Sequence, residues 1–246
     1  SRAVNRPNYS DLNPKLHVNS GGLPYAEVGN PTLKPVVADT TSLSLNWLTE
    51  ENNLQLMAFN HQLDNFIVEQ IKAITYQQQQ YPALQATNDG QATINGLQLS
   101  ADLSLPMLSN SFLQSRMITS VSQLLDAKLT AKQINNPEIE GVSELTANLR
   151  FLFNAKRWQS AVNVNYRSEF LEQRDLSNNA DVYIDEFTSV DLSYSWFFSD
   201  AVALRFDIFN ATDKSLVREV QTNDASSLMK VEQFGRRFVL SLSLTL

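Results

Sequence analysis

The chain contains no cysteine and only two histidines, His17 and His61, among 246 residues. Without cysteine, disulfides, thiolate zinc sites and cysteine nucleophiles are all excluded. The absence fits an oxidising compartment that avoids stray thiols, and equally many cytosolic proteins. Two histidines leave carboxylates to complete any metal site, and no cofactor is expected. Although 43% of residues are hydrophobic, no run approaches the roughly 20 apolar residues that a membrane-spanning helix requires, so a helical membrane protein is excluded. Cationic residues are outnumbered, 19 against 26 acidic, for a formal charge of -7. No Lys/Arg cluster is present, which excludes a nucleic-acid surface. There is no glycine-rich phosphate loop, G-x-S-x-G or zinc-type histidine pair, and no enzyme is expected. Ser1-Arg2-Ala3-Val4-Asn5-Arg6-Pro7 lacks the apolar stretch of a signal peptide, so the expectation is that a leader was removed or that the true beginning lies upstream.

What the chain does have is a rhythm: long alternating segments joined in turn by very short and very long connections. All three tryptophans sit beside the short ones. Trp47 precedes Thr49-Glu50-Glu51-Asn52, Trp158 follows Asn154-Ala155-Lys156-Arg157, and Trp196 precedes Phe197-Phe198-Ser199-Asp200. An outer-membrane-type β-barrel has tight periplasmic turns, long external loops and aromatic girdles at both interfaces, which gives tryptophan beside every tight turn a physical reason. Mean hydropathy is -0.24, as expected where lipid-facing and lumen-facing residues alternate.

Period two is plainest at the C-terminus, where Phe238, Leu240, Leu242, Leu244 and Leu246 alternate with polar or smaller residues. Val190, Leu192, Tyr194 and Trp196 lead through a tight turn into Val202, Leu204, Phe206 and Ile208, which reads as a hairpin. A second hairpin pairs Leu145 to Phe153 with Ser160 to Tyr166, and upstream runs are centred on Leu43 to Trp47, Leu54 to Ala58 and Leu97 to Leu105. Two regions depart from the pattern: Leu113, Met117, Val121, Leu124 and Leu125, and likewise Leu63, Phe66, Ile67, Ile71 and Ile74, have helical spacing. Parity assigns both to strands, because short and long connections keep their sides only if one strand occupies about 112–125. The fold class expected is all-β: a transmembrane antiparallel barrel portion, an up-and-down meander of about ten strands. The strands fall at about 1–6, 39–48, 53–68, 93–105, 112–125, 144–153, 157–168, 187–197, 201–211 and 234–246. The long connections, about 7–38, 69–92, 126–143, 169–186 and 212–233, read as solvated extracellular loops. From Trp158 to Tyr166 a strand rises about 27 Å, or roughly 20 Å of membrane when tilted by about 40°, close to the apolar band height. The membrane girdle is accordingly assigned to Trp47, Trp158, Trp196, Phe197 and Tyr166.

Several short motifs, in order, resemble those of the TonB-dependent receptors, the large outer-membrane transporters of Gram-negative bacteria. Arg6-Pro7-Asn8-Tyr9-Ser10-Asp11-Leu12-Asn13-Pro14 is similar to the family's strand exit, and Gly29-Asn30-Pro31-Thr32-Leu33-Lys34-Pro35 to the "GNPxLKP" that opens the next strand. Asn95-Gly96-Leu97-Gln98-Leu99 resembles the family's "xGxE" strand, with Gln98 in place of Glu. Phe209-Asn210-Ala211-Thr212-Asp213-Lys214 is similar to the "NLTDK" ending the penultimate strand, and Gly235-Arg236 to the pair opening the last. The resemblance covers most of the chain. It implies the C-terminal part of a 22-stranded barrel with a plugged lumen, the plug domain and first strands being absent here, since an open sheet would leave edges that lipid does not tolerate. It further implies, as partners, outer-membrane lipid, TonB through the missing plug, an extracellular small-molecule ligand and the outer-membrane assembly machinery. That machinery reads a C-terminal strand, here Phe238 to Leu246. The family's last residue is usually aromatic, and Leu246 departs from it at a point that bears on assembly efficiency. The implied function is TonB-energised uptake of a bulky nutrient: a ferric siderophore, a corrinoid or an oligosaccharide, binding at the loops and plug apex.

Other candidates have plainer readings beside them. His61-Gln62-Leu63-Asp64 could serve a free-standing ten-stranded barrel protease, but a polar strand end explains it as well. Such a free-standing barrel, with an enzymatic or adhesin-like role, is the alternative function, and a soluble β-rich binding domain is a further rival. Glu50-Glu51 and Asp185-Glu186 are adjacent acids whose side chains diverge and read as loop residues. Arg150, Arg157, Arg167, Arg205, Arg236 and Arg237 would cost a few kcal/mol facing lipid in mid-membrane, so they are expected to face the lumen or an interface. Gln77 to Gln80, with Tyr76 and Tyr81, could bind sugars, although a hydrated loop is the simpler expectation.

Overall fold

The computed structural model describes residues 1–17, 26–76, 78–176, 180–222 and 225–244, apart from the side chains of Tyr76 and Gln79. In chain order the elements are β1 (Arg2–Asn5), a one-turn helix α1 (Tyr9–Leu12), β2 (Leu16–His17), β3 (Ala26–Val28), β4 (Val36–Leu48), β5 (Asn53–Tyr76), β6 (Gln79–Ser104), a 3₁₀ turn at Pro106–Leu108, and β7 (Leu113–Thr130). They continue with β8 (Leu145–Ala155), β9 (Trp158–Arg167), β10 (Phe170–Gln173), β11 (Asp181–Ile184), β12 (Phe187–Ser199), β13 (Val202–Phe209), β14 (Leu216–Gln221), β15 (Ser226–Glu232) and β16 (Arg237–Leu244).

Ten strands form one meander in the order β1-β4-β5-β6-β7-β8-β9-β12-β13-β16, antiparallel at every step. They correspond one to one with the ten expected from alternation. The segment with helical spacing at 112–125 is strand β7. Its odd positions share one face, and because Ser115, Thr119 and Gln123 interrupt Leu113, Met117 and Val121, a period of two looks like a period of four. A bulge then pairs Gly96 with Leu124 and Asn95 with Asp126, setting Leu125 out of step. The same explanation serves β5, where register shifts between Leu63, Phe66 and Val68, with Asn65 at φ 55, disturb the alternation.

Three expected loops are instead ordered β-structure. The 69–92 connection is the upper half of a long hairpin, since β5 runs to Tyr76 and β6 begins at Gln79 with continuous pairing. The expected hydrated loop at Gln77 to Gln80 is thus reduced to a tip; residue 77 lies outside the described residues, and Gln78 turns at φ 63. Connections 169–186 and 212–233 supply a second sheet, β10-β11-β14-β15. It prolongs β9, β12, β13 and β16 in the same order after short breaks and is called the ribbon below. These stretches carry no long apolar alternation, because the hairpin and ribbon extend past the apolar rows of the meander, where neither face needs to be uniformly greasy. The 7–38 connection contributes β2 and β3, with β3 joining β6 in parallel.

The meander has one apolar and one polar face. Direct cross-strand neighbours Phe151–Val162–Leu192–Ile208–Phe238 form one apolar row, and Tyr194–Phe206–Leu240 another. Yet Leu43 is 79% exposed and Leu240 68%, an extent of exposed apolar surface that marks a face made to be covered. Alternate positions, including Asn148, Arg150, Asn163, Asn165, Asp191 and Ser193, take the other face. Side-chain burial is concentrated at the long-connection end, where Val68, Ala92, Leu129 and Ile139 form a core flanked by Leu63, Phe66 and Ile94.

Candidate functional site

At the long-connection end, residues 131–144 link β7 to β8 and fold back over the hairpin as a strap. One side is held by apolar packing: Ile139 is 6% exposed against Val68, Ala92 and Leu129, the Leu129 amide donates to Pro137 O at 2.7 Å, and buried Gln70 donates to Lys132 O at 3.1 Å. The other side is held by polar bonds to the ribbon. Gly141, at φ 77 where an L side chain would be strained, donates its amide to Leu171 O at 2.8 Å.

Arg174, just past β10, is 9% exposed in its side chain. Its guanidinium donates to the backbone oxygens of Asn136 and Glu138 and meets Glu140 Oε1 at 3.5 Å, while its amide donates to the same oxygen at 2.8 Å. Its Nε is buried without a hydrogen-bond partner. Asn136 Nδ2 donates to Asp181 Oδ2 and to the Tyr183 hydroxyl, each at 2.9 Å, and that hydroxyl donates to Glu138 Oε1 at 3.1 Å. Burial pushes the Tyr183 hydroxyl up to about 12, with the Glu138 carboxylate adding to the effect, so it remains a donor at neutral pH.

Between strap and ribbon lies a polar cavity of about 440 Å³ bordered by Asn136, Glu138, Arg174, Asp181, Tyr183 and Gln221. That volume lies in the range of small-molecule sites. Amides, carboxylates and a phenol there can both donate and accept hydrogen bonds, which is chemistry for holding a polar ligand. A second hollow of about 470 Å³ lies along the meander, with Gln55, Asp102, Ser120, Asn148, Arg150 and Asn163 among its border. There Arg116 donates to Asp102 Oδ1 at 2.7 Å. Among the described residues no group of three or more His, Cys, Asp or Glu side chains is placed to hold a metal ion.

The residues singled out in the sequence fall as follows. Trp158 and Trp196 are directly opposed in register, and Tyr194 stacks on Trp158 with ring centroids 6.0 Å apart. Trp47 is half exposed on the apolar face. Tyr166 lies at the far end of that face from Trp158, its hydroxyl donating to Glu186 Oε2 at 3.1 Å. Phe197 parts from this row: it pairs with Ala203, one position on from Trp196, and so takes the opposite face. Phe238, Leu240, Leu242 and Leu244 line the apolar face of β16; Leu246 lies outside the described residues.

His61 and Asp64 are not brought together. Register pairs them with Thr40 and Val37, an odd offset that sends them to opposite faces, and His61 Nδ1 instead meets Thr40 Oγ1 at 2.8 Å. Of the arginines, Arg150 takes the polar face opposite Asn163, and Arg205 bonds both oxygens of Asp207. Arg167 and Arg237 lie over the Phe170 and Phe209 rings at 4.2 and 4.3 Å, and Arg236 Nε donates to Ala211 O. Arg174, Asn136 and Tyr183 were not legible as site residues, since the first two lie on irregular segments and Tyr183 on a strand of four residues, too short for a period to register.

A meander with one greasy and one polar face, tight turns at one end and ordered extensions at the other defines a strip of β-barrel wall. Residues 1–211 match the family described as TonB dependent receptor-like, beta-barrel, and the chain belongs to that family. No curated protein matches it in sequence. Among solved structures, it is similar to a mutant of the ferric enterobactin receptor of Pseudomonas aeruginosa in complex with enterobactin, at 17% identity and TM-score 0.70, over 99% of this chain and 37% of that one. It is also similar to the siderophore receptor PirA of Acinetobacter baumannii, at 18% identity and TM-score 0.66 over 99% and 38%, and to the copper transporter OprC, at 16% and 0.65 over 99% and 35%. The chain thus spans little more than a third of the length of these structures.

Proposed function

We propose that this chain is the C-terminal ten-strand part of an outer-membrane receptor barrel in a Gram-negative bacterium, within a protein whose plug domain and earlier strands lie outside it. The whole receptor takes up a bulky nutrient, in the range of siderophores, corrinoids and oligosaccharides, with energy relayed by TonB through the plug. On this reading the apolar face meets lipid, the tryptophans and Tyr166 sit at the two interfaces, the polar face lines the lumen toward the plug, and strap and ribbon form the extracellular mouth.

The observation that carries the reading is the two-faced meander: apolar side chains such as Leu43, Leu45 and Leu240 stand open on one side, and Asn148, Arg150, Asn163 and the Arg205–Asp207 pair take the other. Outward-facing arginine in mid-membrane would cost about 2–4 kcal/mol, and Arg150 and Arg205 avoid that cost by their register. The test is uptake by whole cells carrying the full-length gene, supplied with labelled nutrients of those three classes. TonB-dependent accumulation of one of them is expected, abolished when either the receptor or TonB is deleted. Accumulation that persists without TonB would contradict it.

A further inference from the structure

We propose that the strap is a movable lid over the mouth and that Arg174 is its latch, a positioning residue that holds the lid shut against carboxylate repulsion. The strap's two sides are held differently. Toward β5 to β7 it is anchored by Ile139 in a packed core and by Gln70, contacts that persist in water. Toward the ribbon it is held by polar groups that water competes for.

Closing the strap carries Glu140 to the edge of a cavity of about 290 Å³, which also borders Glu69 and Asp11. Glu69 lies on β5 with its carboxyl pushed above the ordinary 4.5, first by burial, then by Glu140, with Glu27 and Asp11 adding to it. Among the described residues, Arg174 is the cation lining this cavity, and it is bonded to Glu140. Arg174 borders both this cavity and the 440 Å³ cavity between strap and ribbon. The pair is open to water on the Glu140 side, whose side chain is half exposed, and Nε has no acceptor among the described residues, so the closed state forgoes a hydrogen bond that opening to water would restore. Release of Arg174 frees Glu140 to leave Glu69, lifts the strap about its Ile139 anchor and joins the two cavities. The inference rests on the receptor reading only for placing the lid at the extracellular mouth.

Hydrogen–deuterium exchange on the full-length receptor in detergent micelles tests it without any ligand. Arg174→Ala is expected to speed exchange of the 131–143 amides, Gly141 included, about tenfold or more, while amides around Val68 and Ala92 exchange as before. Arg174→Lys restores part of the protection. Because the latch works against Glu69, R174A/E69Q exchanges more slowly in the strap than R174A alone, and Glu69→Gln by itself slows it in an otherwise unaltered chain. Should R174A fail to fold, that last variant still decides. Unchanged strap exchange in R174A, a rise spread evenly over the barrel, or no effect of Glu69→Gln would overturn the latch. Absence of TonB-dependent uptake by the unaltered receptor would count against the receptor reading and leave this result standing.

Discussion

Two asparagines show why short motifs in this chain hold their residues. Asn30 receives the Thr32 amide and hydroxyl at 3.0 and 2.6 Å while its Nδ2 donates to Ala86 O at 3.0 Å, stapling the segment before β4 onto the long hairpin. Asn210, at φ 52, receives the Lys214 amide and donates to Lys214 O and Gly235 O, fixing both chain passages where β13 and β16 break toward the ribbon. Replacement Asn210→Ala strands these backbone groups at the break and is expected to destabilise the ribbon junction by about 1–3 kcal/mol, read as faster amide exchange in β14 and β15 with β12 and β13 unchanged. Gly96 is fixed by packing: a Cβ there would lie 2.5 Å from the Phe59 ring and 2.9 Å from Gln123 O. Gly96→Val should therefore displace Phe59 at the bulge and cost about 1–3 kcal/mol, seen as a lower unfolding temperature of the purified barrel.

At the scale of elements, the ten meander strands were legible and their extensions were not, for a physical reason. A strand between two unlike media must alternate, so β8, β9, β12, β13 and β16 can be read directly from Leu145 to Ala155 and onward. The ribbon and upper hairpin have water or the strap at their faces, and there cross-strand pairing and ion pairs take over. Arg218 shows this: it bonds Glu172 on β10 at 2.7 Å and Glu232 on β15 at 2.8 Å, spanning the ribbon from edge to edge. Glu232 is held below the ordinary 4.5 by Lys230 and then by Arg218. A carboxyl depressed by folding contributes its stabilisation in full above the unfolded value and loses it as pH falls through the folded one. The ribbon is thus expected to keep its exchange protection from neutrality to about pH 4.5 and to lose it progressively below, after correction for intrinsic exchange rates. Glu232→Gln should flatten that acid dependence.

For the whole molecule, the candidate site was the least legible part. The strap, Arg174 and Tyr183 converge from the β7–β8 connection, the stretch just past β10 and the four-residue strand β11, and convergence of segments so short or irregular leaves no local signature. The wall was legible because one of its faces is apolar and the other polar, and the proposal that these faces meet lipid and lumen is the claim on which the receptor reading stands. Spin labels introduced one at a time by cysteine replacement at Leu45, Leu240, Asn148 and Asn163 of the full-length receptor, held in native outer-membrane vesicles, test it most directly. The labels at Leu45 and Leu240 are predicted to collide readily with dissolved oxygen and hardly at all with a water-soluble nickel chelate, and those at Asn148 and Asn163 to lack the oxygen-rich lipid signature. Nickel access at Leu45 and Leu240 matching that of a fully aqueous site would contradict a lipid-facing wall.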